Sequence, residues 1–570
     1  MTHTVGSSEL GDGTTIERHT PVQVVGLTSV VAIAARDYHN IALRADGSLW
    51  TWGFNFNGQL GDNTTVDRSV PVQVVGFGAG APIAGVNASP SSLKFGATKA
   101  GAGGALQAVT SGQPVTVSFS ASPTAWTASA SQPWIHFSTT SGSGAGQLTI
   151  SISDPSNTLS GATMANGTVT IAPAAPGAAP ATVSISLTID QSGVSTSAPF
   201  GSFDTPADGA AGVAGSLAVT GWALDDVEVA RVRITRDPVP GEPAGAQVYI
   251  GDAVFVSGAR PDVAGAYPVL PRNDRGGWGY LMLTNFLPNQ GNGTFRLSAF
   301  ADDLEGHTTL LGSKIVTCAN NTSILPFGAI DTPAQGAVVS GVIANFGWVL
   351  APGSHRGDPP GGGTVTVVVD GVAIGSPSGW TSRPDLDALF GSGQYAGLGT
   401  AAAVFSLDTQ TLTDGLHTIA WIVSDEVGNT NGVGSRFFTV LNGSGSGGGG
   451  LFSGVSGASM SAAASAGRIL LGRQGADLDR PLSFYYPGFD GTIAVNAREL
   501  DRVELETGSP TGFLAVNGRL APLPAGARLG ADGTFTWQPP PGFVGAYEFV
   551  FDPNGSPLRI RVVLASPVGR

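Results

Sequence analysis

Short stretches in which apolar and polar residues alternate recur along most of the chain. A period of two places successive side chains on opposite faces of a β-strand, so each stretch predicts a strand with one buried face. Glycine, proline, serine and asparagine separate the stretches and favour turns, and glycine alone accounts for 84 of the 570 residues. We therefore predict an all-β protein without long helices. The clearest predicted strands are 115–119, 147–152, 167–171, 182–189, 364–370, 416–423 and 435–440.

A sequence motif occurs twice near the N-terminus, at an offset of 50 residues. Residues 10–27 and 60–77 both begin with Leu-Gly-Asp and both contain Pro-Val-Gln-Val-Val-Gly. A repeat of this length is typical of propeller blades. The residues between the copies, which include Trp50 and Trp52, extend the similarity, and the region resembles the regulator-of-chromosome-condensation repeat. This resemblance implies that residues 1–77 form incomplete β-propeller blades.

The propeller region is short for its family. The resemblance implies a ring of several four-stranded blades, whereas the chain carries only about one and a half repeats. The residues after Met1 lack the basic start and the apolar stretch of a signal peptide. We therefore expect a truncated gene product, with the remaining blades and an export signal encoded upstream.

Residues 78–85 form a predicted linker, and residues 86–190, the second segment, form a predicted sandwich. Two tryptophans in this segment, Trp126 and Trp134, precede a Ser/Gly-rich turn at 141–146. The arrangement resembles the BACON-type immunoglobulin-like domain, a family often attached to carbohydrate-active enzymes. The resemblance implies a domain that binds glycans. Trp126 and Trp134 stand beside Gly/Ser/Pro-rich loops and are the candidate ligand-binding residues, because an indole can stack on a sugar ring. Packing in the sandwich core is the alternative interpretation of both tryptophans.

An internal duplication follows. The sequence Pro-Phe-Gly-Ser-Phe-Asp-Thr-Pro recurs as Pro-Phe-Gly-Ala-Ile-Asp-Thr-Pro, and Gly-Trp pairs ending at Trp222 and Trp348 correspond to each other. Both copies resemble the immunoglobulin-like repeats of secreted bacterial proteins, and their alternating strands suit a two-sheet sandwich. We assign residues 199–318 to the first repeat and residues 326–441 to the second repeat.

Residues 442–467 are rich in glycine and serine and predict a flexible linker. The C-terminal module, 468–565, contains Gly-Thr-Phe-Thr-Trp-Gln-Pro followed by Gly-Phe-Val-Gly-Ala-Tyr. This signature resembles an immunoglobulin-like, cadherin-like module. The predicted architecture is therefore all-β, with incomplete β-propeller blades followed by a string of immunoglobulin-like β-sandwich domains.

Composition excludes some partners. The net charge is −14 and lysine and arginine are not clustered, which argues against nucleic acid because phosphate binding needs a basic face. No apolar run approaches the roughly 20 residues that a membrane-spanning helix requires. The single cysteine, Cys318, rules out an intrachain disulfide, and we expect it to be a core residue.

Motifs for catalysis are missing from the sequence. The chain has no phosphate-binding Gly-Lys-Ser/Thr loop, no His-Glu-x-x-His and no Gly-x-Ser-x-Gly, and its seven histidines are dispersed. Neighbouring carboxylates are the remaining enzymatic candidates, because glycosidases need only two at a fixed distance. We expect no catalytic residue, metal or cofactor, and a protein that is not an enzyme. The neighbouring carboxylates are Asp225 and Asp226; Asp302, Asp303 and Glu305; and Asp425 and Glu426.

Two of these carboxylates raise a question about calcium. Asp303 and Asp425 lie at corresponding positions of the two repeats, before Gly306 and Gly428. Acidic loops at domain junctions bind calcium in cadherin-type modules, but the Asp-x-Asp-x-Asp-Gly pattern is missing. An Asx turn completed by the glycine is the alternative, and both interpretations stay open at this point.

Three functions fit the sequence. The first is a non-catalytic exported or cell-surface protein for adhesion or ligand binding, in which sandwiches project the propeller unit. The second is a carbohydrate-binding protein, and the third is the accessory C-terminal region of a larger secreted enzyme. We expect partners among other proteins or extracellular glycans, a monomeric state and an extracellular or cell-surface location.

Overall fold

The predicted fold class is confirmed: the described residues form β-sheets in which most neighbouring strands are antiparallel, and their helices are few and short. The computed structural model describes residues 9–28, 30–36, 38–44, 48–75, 86–119, 125–174, 179–191, 197–391, 395–442, 469–488, 490–516, 518–552 and 557–565. The predicted linkers, 78–85 and all but the first residue of 442–467, lie outside the described residues, as do residues 1–8.

The N-terminal region contains one four-stranded antiparallel sheet in the order β1-β2-β3-β4, which we call the blade. Its inner strand β3 buries Trp52, and the indole Nε1 donates to the Glu9 carbonyl at 2.8 Å. The edge strand β1 is open to solvent, and Val31 and Ile33 are 63% and 77% exposed. The strands are β1 (Val30–Arg36), β2 (His39–Arg44), β3 (Leu49–Gly53) and β4 (Arg68–Gln73).

The second segment is a two-sheet sandwich with sheet orders β10-β12-β8-β5 and β11-β9-β13-β14-β6-β7. Its strands alternate as the sequence predicts, because valine, isoleucine and leucine face the shared core while threonine and serine face outward. The strands are β5 (Val86–Ser89), β6 (Ser92–Lys99), β7 (Leu106–Val109), β8 (Gln113–Phe119), β9 (Ala125–Ala130), β10 (Ile135–Phe137), β11 (Ser141–Ser143), β12 (Gly146–Ile152), β13 (Met164–Pro173) and β14 (Ala181–Asp190).

In the first repeat one continuous ladder of eight strands folds around a single core, in the order β15-β17-β20-β19-β18-β21-β22-β16. The strands are β15 (Phe200–Thr205), β16 (Ala210–Val213), β17 (Ser216–Leu224), β18 (Val229–Arg236), β19 (Val248–Phe255), β20 (Gly277–Leu283), β21 (Asn292–Asp303) and β22 (Thr308–Ala319).

The second repeat has two sheets, β23-β25-β29-β28 and β24-β31-β30-β26-β27. The strands are β23 (Phe327–Ile330), β24 (Ala337–Val339), β25 (Val342–Leu350), β26 (Thr364–Val369), β27 (Val372–Gly375), β28 (Ser378–Thr381), β29 (Ala402–Asp408), β30 (Gly415–Ser424) and β31 (Thr430–Val440).

The C-terminal module also has two sheets, β33-β32-β35-β39-β38 and β34-β41-β40-β36-β37. Its strands are β32 (Leu470–Gln474), β33 (Ser483–Tyr485), β34 (Ile493–Arg498), β35 (Val503–Glu506), β36 (Gly512–Val516), β37 (Arg519–Ala521), β38 (Ala527–Leu529), β39 (Thr534–Trp537), β40 (Gly545–Phe551) and β41 (Leu558–Ala565).

Helices are short and lie in the connections between strands. The α-helices are α1 (Pro261–Ala266), α2 (Pro288–Gly291) and α3 (Pro384–Phe390). Single 3₁₀ turns span Asn273–Arg275, Thr284–Phe286, Asn320–Thr322, Pro359–Gly361, Leu398–Thr400 and Thr409–Thr411.

All four sandwiches contain one parallel pair between an early strand and the last strand: β6 with β14, β16 with β22, β24 with β31 and β34 with β41. The two repeats also share their register. Phe200 pairs with Leu224 in the first repeat, and Phe327 pairs with Leu350 in the second. The structure therefore gives the residue-by-residue equivalence between the repeats.

The C-terminal module packs against both repeats. Its core includes Val256 and Ala259 of the first repeat and Phe437 of the second repeat. The Tyr547 hydroxyl donates to the Ala259 carbonyl at 2.6 Å. The sequence predicted a string of sandwiches. In the structure the last sandwich, the C-terminal module, packs against the two repeats that precede it.

Candidate functional site

Carboxylates from two turns meet at one end of the first repeat. Asp225 and Asp226 lie in the turn between β17 and β18, and Glu305 lies in the turn after β21. These turns are neighbours because β18 pairs with β21, with Val229 opposite Asp303. The ladder therefore brings together acidic residues that are about 80 positions apart in the sequence.

The oxygens of this carboxylate cluster (Asp225, Asp226 and Glu305) are close together. One oxygen from each of the three side chains lies within 4.8 Å of the others. A second grouping joins Glu305 to Asp303 and His307 within the same limit. Both groupings consist of side chains that can ligate a cation.

Hydrogen bonding leaves part of the cluster unsatisfied. Asp225 is 1% exposed, and its Oδ2 accepts from the backbone N–H groups of Val227 and Glu228, both at 3.0 Å. Its Oδ1, the Oδ1 of Asp226 and both carboxylate oxygens of Glu305 are buried without a hydrogen-bond donor. A buried carboxylate oxygen without a donor is costly, so such a group needs a proton or a cation.

Burial and mutual repulsion favour the neutral forms of the cluster. Burial, followed by the charges of Asp226 and Asp303, raises the pKa of Asp225 to about 6. Burial and the charges of Asp225, Asp226 and Asp303 raise the pKa of Glu305 to about 8. The pKa of Asp226 is raised by burial and by the charge of Asp190, which belongs to the second segment. Without a cation, the cluster therefore resists full ionisation near neutral pH.

Asp303 uses its oxygens within its own turn. Oδ1 accepts from the backbone N–H groups of Glu305 at 2.9 Å and His307 at 2.8 Å, and Oδ2 contacts His307 Nδ1 at 2.7 Å. In the second repeat, Asp425 Oδ1 accepts from the backbone N–H groups two and four residues on, and its Oδ2 accepts from Asn429 Nδ2. The Asx-turn interpretation accounts for both aspartates.

The carboxylate cluster adjoins the second segment. A Cβ on Gly96 of β6 would lie 1.9 Å from the Asp226 carbonyl oxygen, so the two backbones are in close contact. The Thr110 hydroxyl donates to the Val227 carbonyl at 2.7 Å. Glu228 accepts from the Ser111 backbone N–H at 2.7 Å. The acidic turn therefore forms the junction between the second segment and the first repeat.

The burial of Asp225 also bears on whether the carboxylate cluster can act in catalysis. A glycosidase must bring a sugar between its two carboxylates, whereas Asp225 is 1% exposed and adjoins a domain junction. The structure thus brings Asp225 and Asp226 together with Asp303 and Glu305, in a place that a polysaccharide does not reach in this conformation. Asp302 pairs with arginines instead, and Asp425 and Glu426 lie in the second repeat.

Trp126 and Trp134, the predicted ligand-binding pair, lie in the core of the second segment. Each is 3% exposed, and Trp126 Nε1 donates to the Gly144 carbonyl at 3.1 Å. A Cβ on Gly142 would lie 2.5 Å from the Trp126 ring. Neither indole offers a face to a sugar in this conformation. Glycan binding by this pair stays a prediction, and it would require both rings to move.

Exposed aromatic residues occur elsewhere, at the edge strand β33 of the C-terminal module. Phe484 on β33 and Tyr486 just after it are 62% and 65% exposed, and Leu482 just before the strand is 38% exposed. Tyr485 between them packs against the module's core. This stripe of Leu482, Phe484 and Tyr486 was not predicted from the sequence, although the alternation of these three residues with polar or inward-facing positions was its signal.

The comparisons with known proteins identify the N-terminal repeat. Residues 30–59 and 46–90 match models of the regulator of chromosome condensation (RCC1) repeat. This region is similar to an RCC1 repeat. The match covers a small share of the chain, and the predicted resemblance is confirmed for this region.

Three solved structures that match the chain do so at low identity and low TM-score. The insect immune protein hemolin is 10% identical, with 85% of this chain and 100% of that chain covered and a TM-score of 0.18. The human desmocollin-1 ectodomain is 10% identical, covers 92% of this chain and 86% of its own, and has a TM-score of 0.15. An endo-beta-1,4-mannanase from Thermotoga petrophila is 16% identical over 21% of this chain, with a TM-score of 0.15, and the chain spans about a fifth (20%) of its length.

Among the described residues, none of the helices has the length and apolar character needed to cross a membrane.

Proposed function

We propose that the chain is a non-catalytic, exported scaffold that holds binding surfaces at fixed relative positions outside the cell, for adhesion or protein binding. The observation that carries the proposal is the docking of the C-terminal module against both repeats. In a flexible chain of sandwiches, the end modules move independently. Here three sandwiches act as one rigid support.

The contact with the first repeat is specific. The Tyr547 hydroxyl and the Ala259 carbonyl form one buried hydrogen bond. Glu499 Oε1 accepts from the hydroxyls of Thr205 at 3.1 Å and Thr220 at 3.2 Å. A Cβ on Gly279 would lie 2.3 Å from the backbone of the module. A close approach of this kind is typical of a permanent interface and leaves no room for sliding.

The contact between the C-terminal module and the second repeat also consists of specific hydrogen bonds. Arg502 Nε donates to the Gly371 carbonyl, and the Thr536 hydroxyl donates to the Asp370 carbonyl at 2.9 Å. Arg502 is 6% exposed, so its charge is paired with Glu504 in a buried setting. Polar contacts on both sides fix the module's orientation as well as its position.

The blade is the proposed recognition unit. Its edge strand exposes Val31 and Ile33, which supplies an apolar surface for further blades or a protein partner. The division of the chain at 1–77, 86–190, 199–318, 326–441 and 468–565 belongs to this proposal. So do the BACON-like and cadherin-like resemblances, the extracellular location and a monomeric state.

Labelling of intact bacteria tests the proposal. An antibody against the chain should bind whole cells or the culture medium. Deleting the gene should lower adherence, and expression of the wild-type chain should restore it. Detection only after lysis, or unchanged adherence after deletion, would contradict an exported adhesion scaffold.

Carbohydrate binding is a second candidate, supported by the exposed stripe of Leu482, Phe484 and Tyr486. Flat aromatic rings on a rigid strand suit stacking against sugar rings. On a glycan array, binding by the wild type should disappear in the double variant Phe484→Ala, Tyr486→Ala. Phe346→Ala is the matched control because Phe346 is also exposed, at 48%, on a different module. Equal binding by all three proteins would exclude the stripe.

A further inference from the structure

We propose that Asp225, Asp226 and Glu305 bind one calcium ion at the junction between the second segment and the first repeat. The cluster supplies four oxygens that are buried and have no hydrogen-bond donor: Asp225 Oδ1, Asp226 Oδ1 and both oxygens of Glu305. One oxygen of each side chain lies within 4.8 Å of the others, as is needed for a shared ion. Calcium takes six to eight oxygen ligands and accepts irregular geometry.

The buried aspartate points to a ligand. Asp225 is 1% exposed, and its Oδ2 is already satisfied by two backbone donors. Its Oδ1 is buried without a donor, and one of its carboxylate oxygens lies within 4.8 Å of an oxygen of Asp226 and an oxygen of Glu305, both of which are acceptors when ionised. Three ionised acceptors this close together destabilise the fold unless they take up protons or a cation lies between them.

The donor set favours a hard cation over zinc. Every unsatisfied atom in the cluster is a carboxylate oxygen, and oxygen donors suit calcium or magnesium. Among the described residues, the nitrogen ligand grouped with these carboxylates is His307, and its Nδ1 already contacts Asp303 Oδ2 at 2.7 Å. Magnesium demands near-ideal octahedral geometry, whereas calcium accepts an irregular set of oxygens.

The internal duplication provides a natural comparison. Because Leu224 and Leu350 occupy the same register position, Asp225 and Asp226 correspond to Ala351 and Pro352. The Asx turns align as well, so that Val427 of the second repeat replaces Glu305.

The second repeat therefore keeps the Asx turn and lacks all three proposed ligands. The aspartate of the turn is a feature of the repeat fold, whereas the three additional carboxylates occur only where the second segment docks. This contrast separates the proposed site from ordinary turn chemistry.

A bound ion would fix the docking surface. The Asp226 carbonyl lies against Gly96, and the Val227 carbonyl accepts a hydrogen bond from the Thr110 hydroxyl. An ion held by Asp225, Asp226 and the opposite turn would lock this backbone in the docked shape. Calcium would thereby stiffen the junction between the second segment and the rigid block, by which we mean the two repeats together with the C-terminal module.

The test uses the full chain, freed of metal with a chelator. Native mass spectrometry should show one calcium ion per chain, with a dissociation constant of about 10⁻⁴ to 10⁻³ M, as in extracellular calcium modules. Calcium at about 10 mM should raise the first unfolding transition by at least about 2 °C. Asp226→Asn and Glu305→Gln should each weaken binding at least tenfold and abolish the shift.

Two comparisons keep the result decisive. Glu426→Gln makes the same kind of substitution at the equivalent turn of the second repeat, and it should bind calcium as the wild type does. Without calcium, Asp226→Asn and Glu305→Gln should unfold at the same or a higher temperature than the wild type, because they relieve repulsion. Loss of binding in these variants therefore cannot be ascribed to misfolding.

Several results would overturn the proposal. A cluster that simply shares protons would show no calcium binding and no calcium-dependent shift in the wild type. Equal calcium affinity in Asp226→Asn or Glu305→Gln would place the ion elsewhere. The proposal would also fail if the wild type bound zinc but not calcium and if His307→Ala abolished the zinc binding, because the site would then be a zinc site that includes His307.

Discussion

Glu499 makes the docking of the C-terminal module sensitive to pH. The side chain is buried at the contact with the first repeat, where the hydroxyls of Thr205 and Thr220 donate to Oε1. Oε2 is buried without a donor. Burial raises the pKa of Glu499 to about 8, with a smaller contribution from the charge of Asp204. The folded protein therefore favours the protonated, neutral side chain.

The sign and size of the effect follow from linkage. The unfolded-state pKa of a glutamate is near 4.5, so between pH 4.5 and 8 only the folded state holds the proton. The stabilising contribution is complete below the lower value and is lost as the pH rises through the higher one. The slope is about −1.4 kcal/mol per pH unit, which amounts to on the order of 3 kcal/mol between pH 5 and pH 8.

Glu499→Gln isolates this contribution, because the amide keeps an oxygen for the two threonine hydroxyls and does not titrate. We expect urea unfolding of the wild type to shift to lower denaturant from pH 5 to pH 8, and that of Glu499→Gln to shift less. The difference between the two proteins removes the effects of ionisable groups around this contact, which include Asp204, Arg260, Asp262 and Tyr547. Parallel pH profiles, or a wild type that gains stability relative to the variant as the pH rises, would refute the reasoning.

Three further predictions concern packing and reactivity. Gly279→Ala should weaken docking by about 1–3 kcal/mol through overpacking, whereas Gly146→Ala, whose new methyl meets nothing within 4 Å, should unfold like the wild type in urea. Cys318 is 3% exposed and burial raises its pKa to about 11, so a thiol reagent at pH 8 should label it only after unfolding; rapid labelling of the native protein would contradict this. Trp421→Phe should cost about 1–3 kcal/mol in thermal or urea unfolding, because it removes the 2.7 Å donor to the buried Asn345 amide oxygen; an unchanged stability would show that this bond is dispensable.

Local patterns predicted the sandwiches because strand formation depends on short-range alternation. The predicted strand 182–189 lies within β14, and 416–423 lies within β30. The duplication likewise predicted two matching folds, and the shared register of Trp222 and Trp348 confirms the correspondence. Strand positions and the duplication could be predicted because each depends on a few neighbouring residues in the sequence.

Features that depend on distant contacts could not be predicted. Asp225 and Glu305 become neighbours only through the pairing of β18 with β21. The docking of the C-terminal module joins Glu499 to Thr205 across 294 positions, with no local signature. The burial of Trp126 and Trp134 could not be predicted either, because the local sequence around a tryptophan beside a Ser/Gly turn is the same whether the side chain faces the core or the solvent.

The most direct test of a rigid three-sandwich block is cleavage within residues 442–467. A protease site placed there in the full-length folded protein would be cut, and the product analysed by size exclusion at pH 6. The docked arrangement predicts that the C-terminal module stays bound and elutes together with the remainder of the chain. Separation into two species without denaturant would contradict the block, and with it the proposed rigid scaffold.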